Sequence, residues 1–294
     1  MSKKIFDFLK LIRLNNLLII VATQIFAYFF LTPSITIQHL IDTDFIKLLV
    51  STFLVAGAGY IINDYMDVML DLVNKPDKVI VGKSISRRWA MFLHLIMNLV
   101  AFLLAYSFNK KIAIMVLGAS IFLWIYSQLL KKTFLSGNIL VALLTAFTLW
   151  ILFLFDPNIM KTGLWVYGVF SFLTTIIREI IKDTEDLSGD KKFKAKTLPI
   201  VLGIRKTKSI LFWAQILLII LTISYCISFE ALSISGQRVY FMFLVFMLIL
   251  VILPMIYMAK LIHGADVKKD FTRLSFISKL VMLFGIISMV FWRF

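Results

Sequence analysis

The sequence predicts an all-α polytopic membrane protein, with about nine transmembrane helices around a central cavity, forming a single unit over residues 1–294. Three observations predict it. Hydrophobic residues make up 61% of the chain against 16% charged, and a mean hydropathy of +0.95 means more apolar surface than a water-soluble core can hide. The apolar residues fall in runs close to the roughly 20 that cross a bilayer as a helix. The 31 Lys and Arg lie mostly between those runs and crowd every second gap.

In chain order, residues 1–13 form a basic amphipathic segment. Ile5, Phe8, Leu9 and Ile12 recur at helical spacing between Lys3, Lys4 and Lys10, the pattern of a helix lying in the headgroup interface. The first apolar run, 17–31, lacks a small-residue cleavage site and is followed by further spans, so it reads as a retained helix. Further spans are predicted at about 45–62, 89–108, 112–130, 139–155, 164–181, 210–228, 239–261 and 276–292. With the N-terminus in the cytoplasm, only Lys47, Lys110, Lys111, Lys161, Arg238 and Arg293 fall on the outer side. The positive-inside rule then fixes the orientation in the cytoplasmic membrane and accounts for the net charge of +15. That charge does not point to nucleic acid, because the basic residues sit in separate short loops and no recognition module is present. Two inner segments are long, 72–88 and 184–208. Pro76 and Gly82 break the first, Gly189, Pro199 and Gly203 break the second, and both are expected to cap a site at the cytoplasmic face. Cys226 has no intrachain partner and reads as a small buried hydrophobe.

The chemistry concentrates at the cytoplasmic ends of the second and sixth helices. Asp64, Asp67 and Asp71 follow one apolar span, and Asp183, Asp186 and Asp190 repeat the same D-x2-D-x3-D spacing after another. At about 100° per residue, carboxylates at i, i+3 and i+7 share one helix face. Three like charges there repel one another unless cations neutralise them. Hard oxygen ligands suit Mg²⁺, which takes one or two carboxylates per ion and completes its shell with water and phosphate oxygens. Two facing clusters would make a magnesium-diphosphate site, with Lys78, Lys131, Arg178 and Lys182 as the cations placed to take diphosphate charge.

At these residues the chain resembles the UbiA-type intramembrane prenyltransferases. Asn63-Asp64-x2-Asp67-x3-Asp71 matches the family's first acidic motif in full. Asn74-Lys75-Pro76-Asp77-Lys78 is similar to its N-x-P-x-R loop with Lys for Arg, and Tyr126-Ser127 with Leu130-Lys131-Lys132 is similar to its Y-S-x2-L-K-R. Arg13-Leu14-Asn15-Asn16 resembles R-P-x-N without the Pro. The resemblance implies Mg²⁺ held by Asn63, Asp64, Asp67, Asp71, Asp183, Asp186 and Asp190, with Asp67, Asp71, Asp183 and Asp186 in catalysis. It implies a polyisoprenyl diphosphate donor, geranylgeranyl among the candidates, and an acceptor alkylated by an allylic cation. The run Lys182-Asp183-Thr184-Glu185-Asp186 with Gly189-Asp190 and Thr197-Leu198-Pro199 looks more like the branch that alkylates geranylgeranylglyceryl phosphate than like the quinone branches. An aromatic acid is the alternative acceptor. For a phosphorylated acceptor, Lys83, Arg87, Arg13 and Asn16 are the expected partners.

Each of these residues also has a plainer reading. An Asp at a helix end is usually a solvated cap, but six in duplicated spacing favour ligands. Glu179 either extends the cluster or pairs with Arg178 or Lys182, and Arg88 anchors the next span. Tyr65, Tyr126 and Trp124 fit an interfacial belt as well as a cation-stabilising wall. His39, His94 and His263 form no spaced set. A cation-coupled transporter also uses paired acidic half-sites, but near the bilayer midplane and not at helix ends among basic loops.

Overall fold

The computed structural model describes residues 3–33, 35–74, 76–232 and 237–293. Among them, nine helices are long and apolar enough to cross a membrane: α1 Leu14–Leu31, α2 Thr43–Met66, α3 Arg87–Tyr106, α4 Lys110–Gln128, α5 Ser136–Phe155, α6 Lys161–Glu185, α7 Leu198–Phe229, α8 Gln237–Gly264 and α9 Lys268–Trp292. In hydrocarbon every backbone N–H and C=O must be satisfied within the segment, which leaves the helix as the way to bury such runs singly. Polar residues set several starts. Asp42 accepts from the backbone N–H groups of Asp44 and Phe45, Ser86 from that of Trp89, and Asn109 from those of Lys111 and Ile112.

Each span packs on the next, and α9 returns to α1, closing a ring. The spans α2 and α6 are the most enclosed, with half of their apolar windows buried against 22% for α4. Besides its chain neighbours α2 touches α4, and α6 touches α9 and α1. Gly57 and Gly59 let α2 come close to its neighbours, since a Cβ there would meet Met97 Cε and Leu123 Cδ1 at 2.8 Å. The helix Lys3–Leu11 lies half out of the bundle: Ile5 and Phe6 are exposed, whereas Leu11 and Ile12 join a small core with Ala58, Ile61 and Met97. Arg13 turns the chain from that helix into α1 in the left-handed region, at φ 52° and ψ 54°.

The two long inner segments are more ordered than their breakers suggest. The first holds a short helix, Val68–Asn74, and a 3₁₀ turn, Pro76–Lys78. It then makes a tight return at Gly82, whose φ of +86° an L side chain rarely adopts. The second holds the short helix Leu187–Lys192, and α7 begins at Leu198, ahead of the expected 210. Gly203, at φ 78° and ψ 161°, lies outside the helical region and breaks this run, so a short helical piece from Leu198 precedes the span proper. The two short helices pack against each other, and Lys196 N–H donates to Lys132 C=O at 2.8 Å.

A cavity of about 280 Å³ lies between α6, α7, α8 and α9, lined by Trp165, Phe170, Leu173, Leu221, Tyr225 and Met247 among others. It runs along the half of α6 remote from the Asp residues. Its lining includes Trp165 and Leu221, which are exposed on the outer surface, so it opens between the spans.

Candidate active site

Both acidic triplets are built the same way, and neither lies on one uninterrupted helix as their spacing suggests. Asp64 is in the last turn of α2, Asp67 is its C-cap, and Asp71 is in the short helix that follows. Asp183, Asp186 and Asp190 occupy the corresponding places after α6. Asp67 has φ −93°, ψ 4° and Asp186 has φ −95°, ψ 10°, the sparsely populated bridge region where many active-site residues sit. The i to i−4 hydrogen bonds continue through the bend: Asp67 N–H to Asn63 C=O at 3.0 Å and Asp71 N–H to Asp67 C=O at 2.8 Å, matched by Asp186 to Lys182 at 2.9 Å and Asp190 to Asp186 at 3.2 Å. One helical path is kinked at the middle Asp in each half, and the packed short helices bring the two bends together.

Cations and amides meet these carboxylates. Arg13 donates to Asp64 at 2.9 Å, stacks over the Tyr60 ring at 4.7 Å, and has Asn16 beside it, donating to the Tyr60 hydroxyl at 3.4 Å. Lys131 donates to Asn63 Oδ1 at 3.3 Å and pairs with Asp67, which is 3% exposed. Burial alone would lower the pKa of the Lys131 ammonium, but Asp67 and Asp71 outweigh it and hold the group above its ordinary value. Arg13 is held up in the same way, burial opposing its charge and Asp64 with Tyr60 prevailing. In the other half Asn138, buried at the start of α5, donates to Asp183 Oδ2 at 2.8 Å. Tyr126 lies within electrostatic range of Glu179, Asp183 and Asp67, spanning both halves.

Several expected residues are placed differently. Arg178 and Lys182 both donate to Glu179, at 3.1 and 2.6 Å, which is the pairing reading of Glu179. Lys83 Nζ donates to Pro76 C=O at 2.9 Å, and Arg87 lies over the Tyr65 ring at 4.3 Å. The side chain of Lys78 lies outside the described residues. Asn138 and Tyr60 were not among the expected site residues. Asn138 carries a signal, as the one amide in the opening turn of an apolar helix that follows Lys131 and Lys132.

Among the described residues no three His, Cys, Asp or Glu side chains gather closely enough to hold a metal ion by themselves, so the seven expected ligands do not form an all-protein cage. The donor chemistry still fits Mg²⁺. Asn63 Oδ1 and buried Asp67 together receive one ammonium. Hard oxygens of this kind supply one or two ligands to an ion whose remaining positions go to water and phosphate.

The match to the UbiA prenyltransferase family model covers residues 18–280. Digeranylgeranylglyceryl phosphate synthase of Methanosphaera stadtmanae is 34% identical over 258 residues, covering 86% of this chain and 89% of that protein. The protein of the same name from Saccharolobus solfataricus is 32% identical over 231 residues, covering 78% and 79%. A solved structure of digeranylgeranylglyceryl phosphate synthase superposes with a TM-score of 0.71 at 25% identity, over 98% of this chain and 99% of its own. A UbiA homolog from Archaeoglobus fulgidus, bound to GPP and Mg²⁺, shares the fold with a TM-score of 0.64 at 18% identity, covering 96% and 99%. With its kinked, duplicated acidic ends on a closed ring of nine spans, the chain belongs to the UbiA prenyltransferase family.

Proposed function

We propose that this chain transfers a geranylgeranyl group from its diphosphate to geranylgeranylglyceryl phosphate, at the cytoplasmic face of the membrane, as one unit over residues 1–294. The observation that carries the reading is the pair of matched Asp bends, together with relatives of one name along most of the chain. Asp67, Asp71, Asp183 and Asp186 are the proposed catalytic carboxylates, and Asn63, Asp64 and Asp190 complete the set that would hold Mg²⁺. Bound Mg²⁺ supplies neutralisation of the leaving diphosphate.

The chain's own residues do the rest. Lys131, between Asn63 and Asp67, and Arg13, on Asp64, present positive charge where the allylic C–O bond breaks. Tyr126 offers a π face between the halves. The apolar helices keep water from the allylic cation until the acceptor hydroxyl forms the new ether bond and gives up its proton. The segments 72–88 and 184–208 cover the site, a role supported by the contact between their short helices. The basic balance of the loops supports the cytoplasmic placement.

Mass spectrometry of lipids made by the purified protein tests this. Supplied with geranylgeranyl diphosphate, Mg²⁺ and a panel of acceptors, it is expected to alkylate the glyceryl phosphate. Turnover of an aromatic acid alone would replace the acceptor and leave the prenyltransferase intact.

A further inference from the structure

The two halves of the acidic end differ where their shared Asp spacing hides it. At the positions that correspond to Gly59, Tyr60 and Asn63 on α2, α6 carries Arg178, Glu179 and Lys182. Arg178 and Lys182 donate to the same oxygen, Glu179 Oε1, and Glu179 is only 13% exposed. Two further cations stand in range. Arg13, at the start of α1, interacts with Glu179 but is already engaged by Asp64. Lys279 of α9 feels the charges of Arg178 and Arg13. The helices α1, α6 and α9 all touch one another, so Arg13 and Lys279 lie on the two elements that flank α6.

Arg178 and Lys182 share one carboxylate oxygen of Glu179 in a half-buried place, with Asp183 the further carboxylate in range of Lys182. Unbalanced like charges away from water cost stability unless an anion joins them. A donor is also in hand, since Arg178 Nε is buried without a hydrogen-bond partner. A phosphomonoester fits what is left over. It brings up to two negative charges and three terminal oxygens, and a guanidinium grips two of those oxygens at once.

We propose that Arg178 and Lys182, flanked by Arg13 and Lys279, form an anion site for the phosphate of a phosphorylated lipid acceptor, and that Glu179 holds the two cations in place until that phosphate displaces it. The proposal rests on the glyceryl phosphate reading given above. It divides the anions between two places: the diphosphate against the Asp bends and Lys131, and the acceptor phosphate one turn further into α6. It also moves the acceptor phosphate away from Lys83 and Arg87.

The test uses the full chain in lipid nanodiscs with Mg²⁺, geranylgeranyl diphosphate and geranylgeranylglyceryl phosphate. Lys279→Gln is expected to raise KM for the acceptor about tenfold, with KM for the diphosphate changed less than about twofold and kcat nearly kept, the pattern of lost ground-state binding. Glu179→Gln is expected to lower the acceptor KM by about threefold, because the competing carboxylate is gone. Inorganic phosphate should compete with the acceptor and not with the diphosphate, and less strongly in Lys279→Gln. Equal rises in both KM values, or competition with the diphosphate, would overturn the proposal while leaving the prenyl-transfer reading in place. So would a Glu179→Gln protein that unfolds at lower temperature with both KM values unchanged, which marks a purely structural triad. If the chain turns over only an aromatic acid, the function reading fails by itself. Calorimetry with inorganic phosphate then decides the site: binding that weakens in Lys279→Gln keeps it, and no binding to the unmodified chain removes it.

Discussion

Asp67 and Asp186 share a backbone conformation that few residues adopt, and each sits where a helix bends toward the other half of the molecule. Asp71 and Asp190 follow in the short helices beyond the bends, and those two helices pack against each other. Replacing Asp67 or Asp186 with Ala is expected to abolish diphosphate release in a folded protein, since each loss removes a proposed oxygen ligand and lessens repulsion among the remaining carboxylates. Release assays at saturating Mg²⁺ check this, and full activity in either variant would exclude that residue. Asn138 works on the second half, where its amide is the donor to Asp183. Asn138→Ala leaves a mostly buried carboxylate short of a hydrogen bond, at a cost of about 1–3 kcal/mol. The expected outcome is a lower unfolding temperature together with a higher Mg²⁺ requirement. A shift in unfolding alone would make Asn138 structural only.

At the scale of elements, the turn between α4 and α5 decides where Lys131 points. Leu130–Lys132 forms one 3₁₀ turn, and α5 starts so close beneath it that a Cβ on Gly137 would lie 2.6 Å from Leu130 C=O. Backbone cannot yield as a flexible side chain does. Gly137→Ala is therefore expected to push the turn outward, loosen the Lys131 contacts with Asn63 and Asp67, and slow transfer by about tenfold, the effect of losing one charge-assisted hydrogen bond. Measuring kcat for Gly137→Ala, Lys131→Ala and the double variant checks the link. If both act through the same ammonium, the double variant should be little worse than Lys131→Ala, whereas multiplying effects would separate the turn from the lysine.

For the whole molecule, the ring of spans leaves large apolar side chains facing outward, Trp89 at 62% and Trp213 at 65% exposed, which only a lipid solvent tolerates in such number. The basic balance of the loops supports the proposed cytoplasmic placement of the acidic end. The lone cysteine, Cys226, is buried, so introduced thiols can be read against a quiet background. A thiol at exposed Lys110→Cys is expected to react with an impermeant maleimide in intact cells, and one at Lys192→Cys only after the membrane is opened. The reverse pattern would put the acidic end outside and defeat the cytoplasmic placement.

The sequence by itself determined the membrane class, the nine spans and the residue types at the acidic end, because hydropathy and spacing are local properties of the chain. Asp64 to Asp71 and its copy at Asp183 to Asp190 were legible for the same reason. What only the tertiary structure decided are the contacts between distant segments. Spacing alone reads the Asp triplets as straight helical faces, while the fold bends each at its middle member and packs the two short helices together. The sequence left Glu179 either extending the cluster or pairing with Arg178 or Lys182, and the fold has it accept from both. Asn138 gained a contact with a carboxylate on the next helix. Pairings of this kind depend on which helices become neighbours, and that is settled by packing around the ring, which hydropathy does not encode.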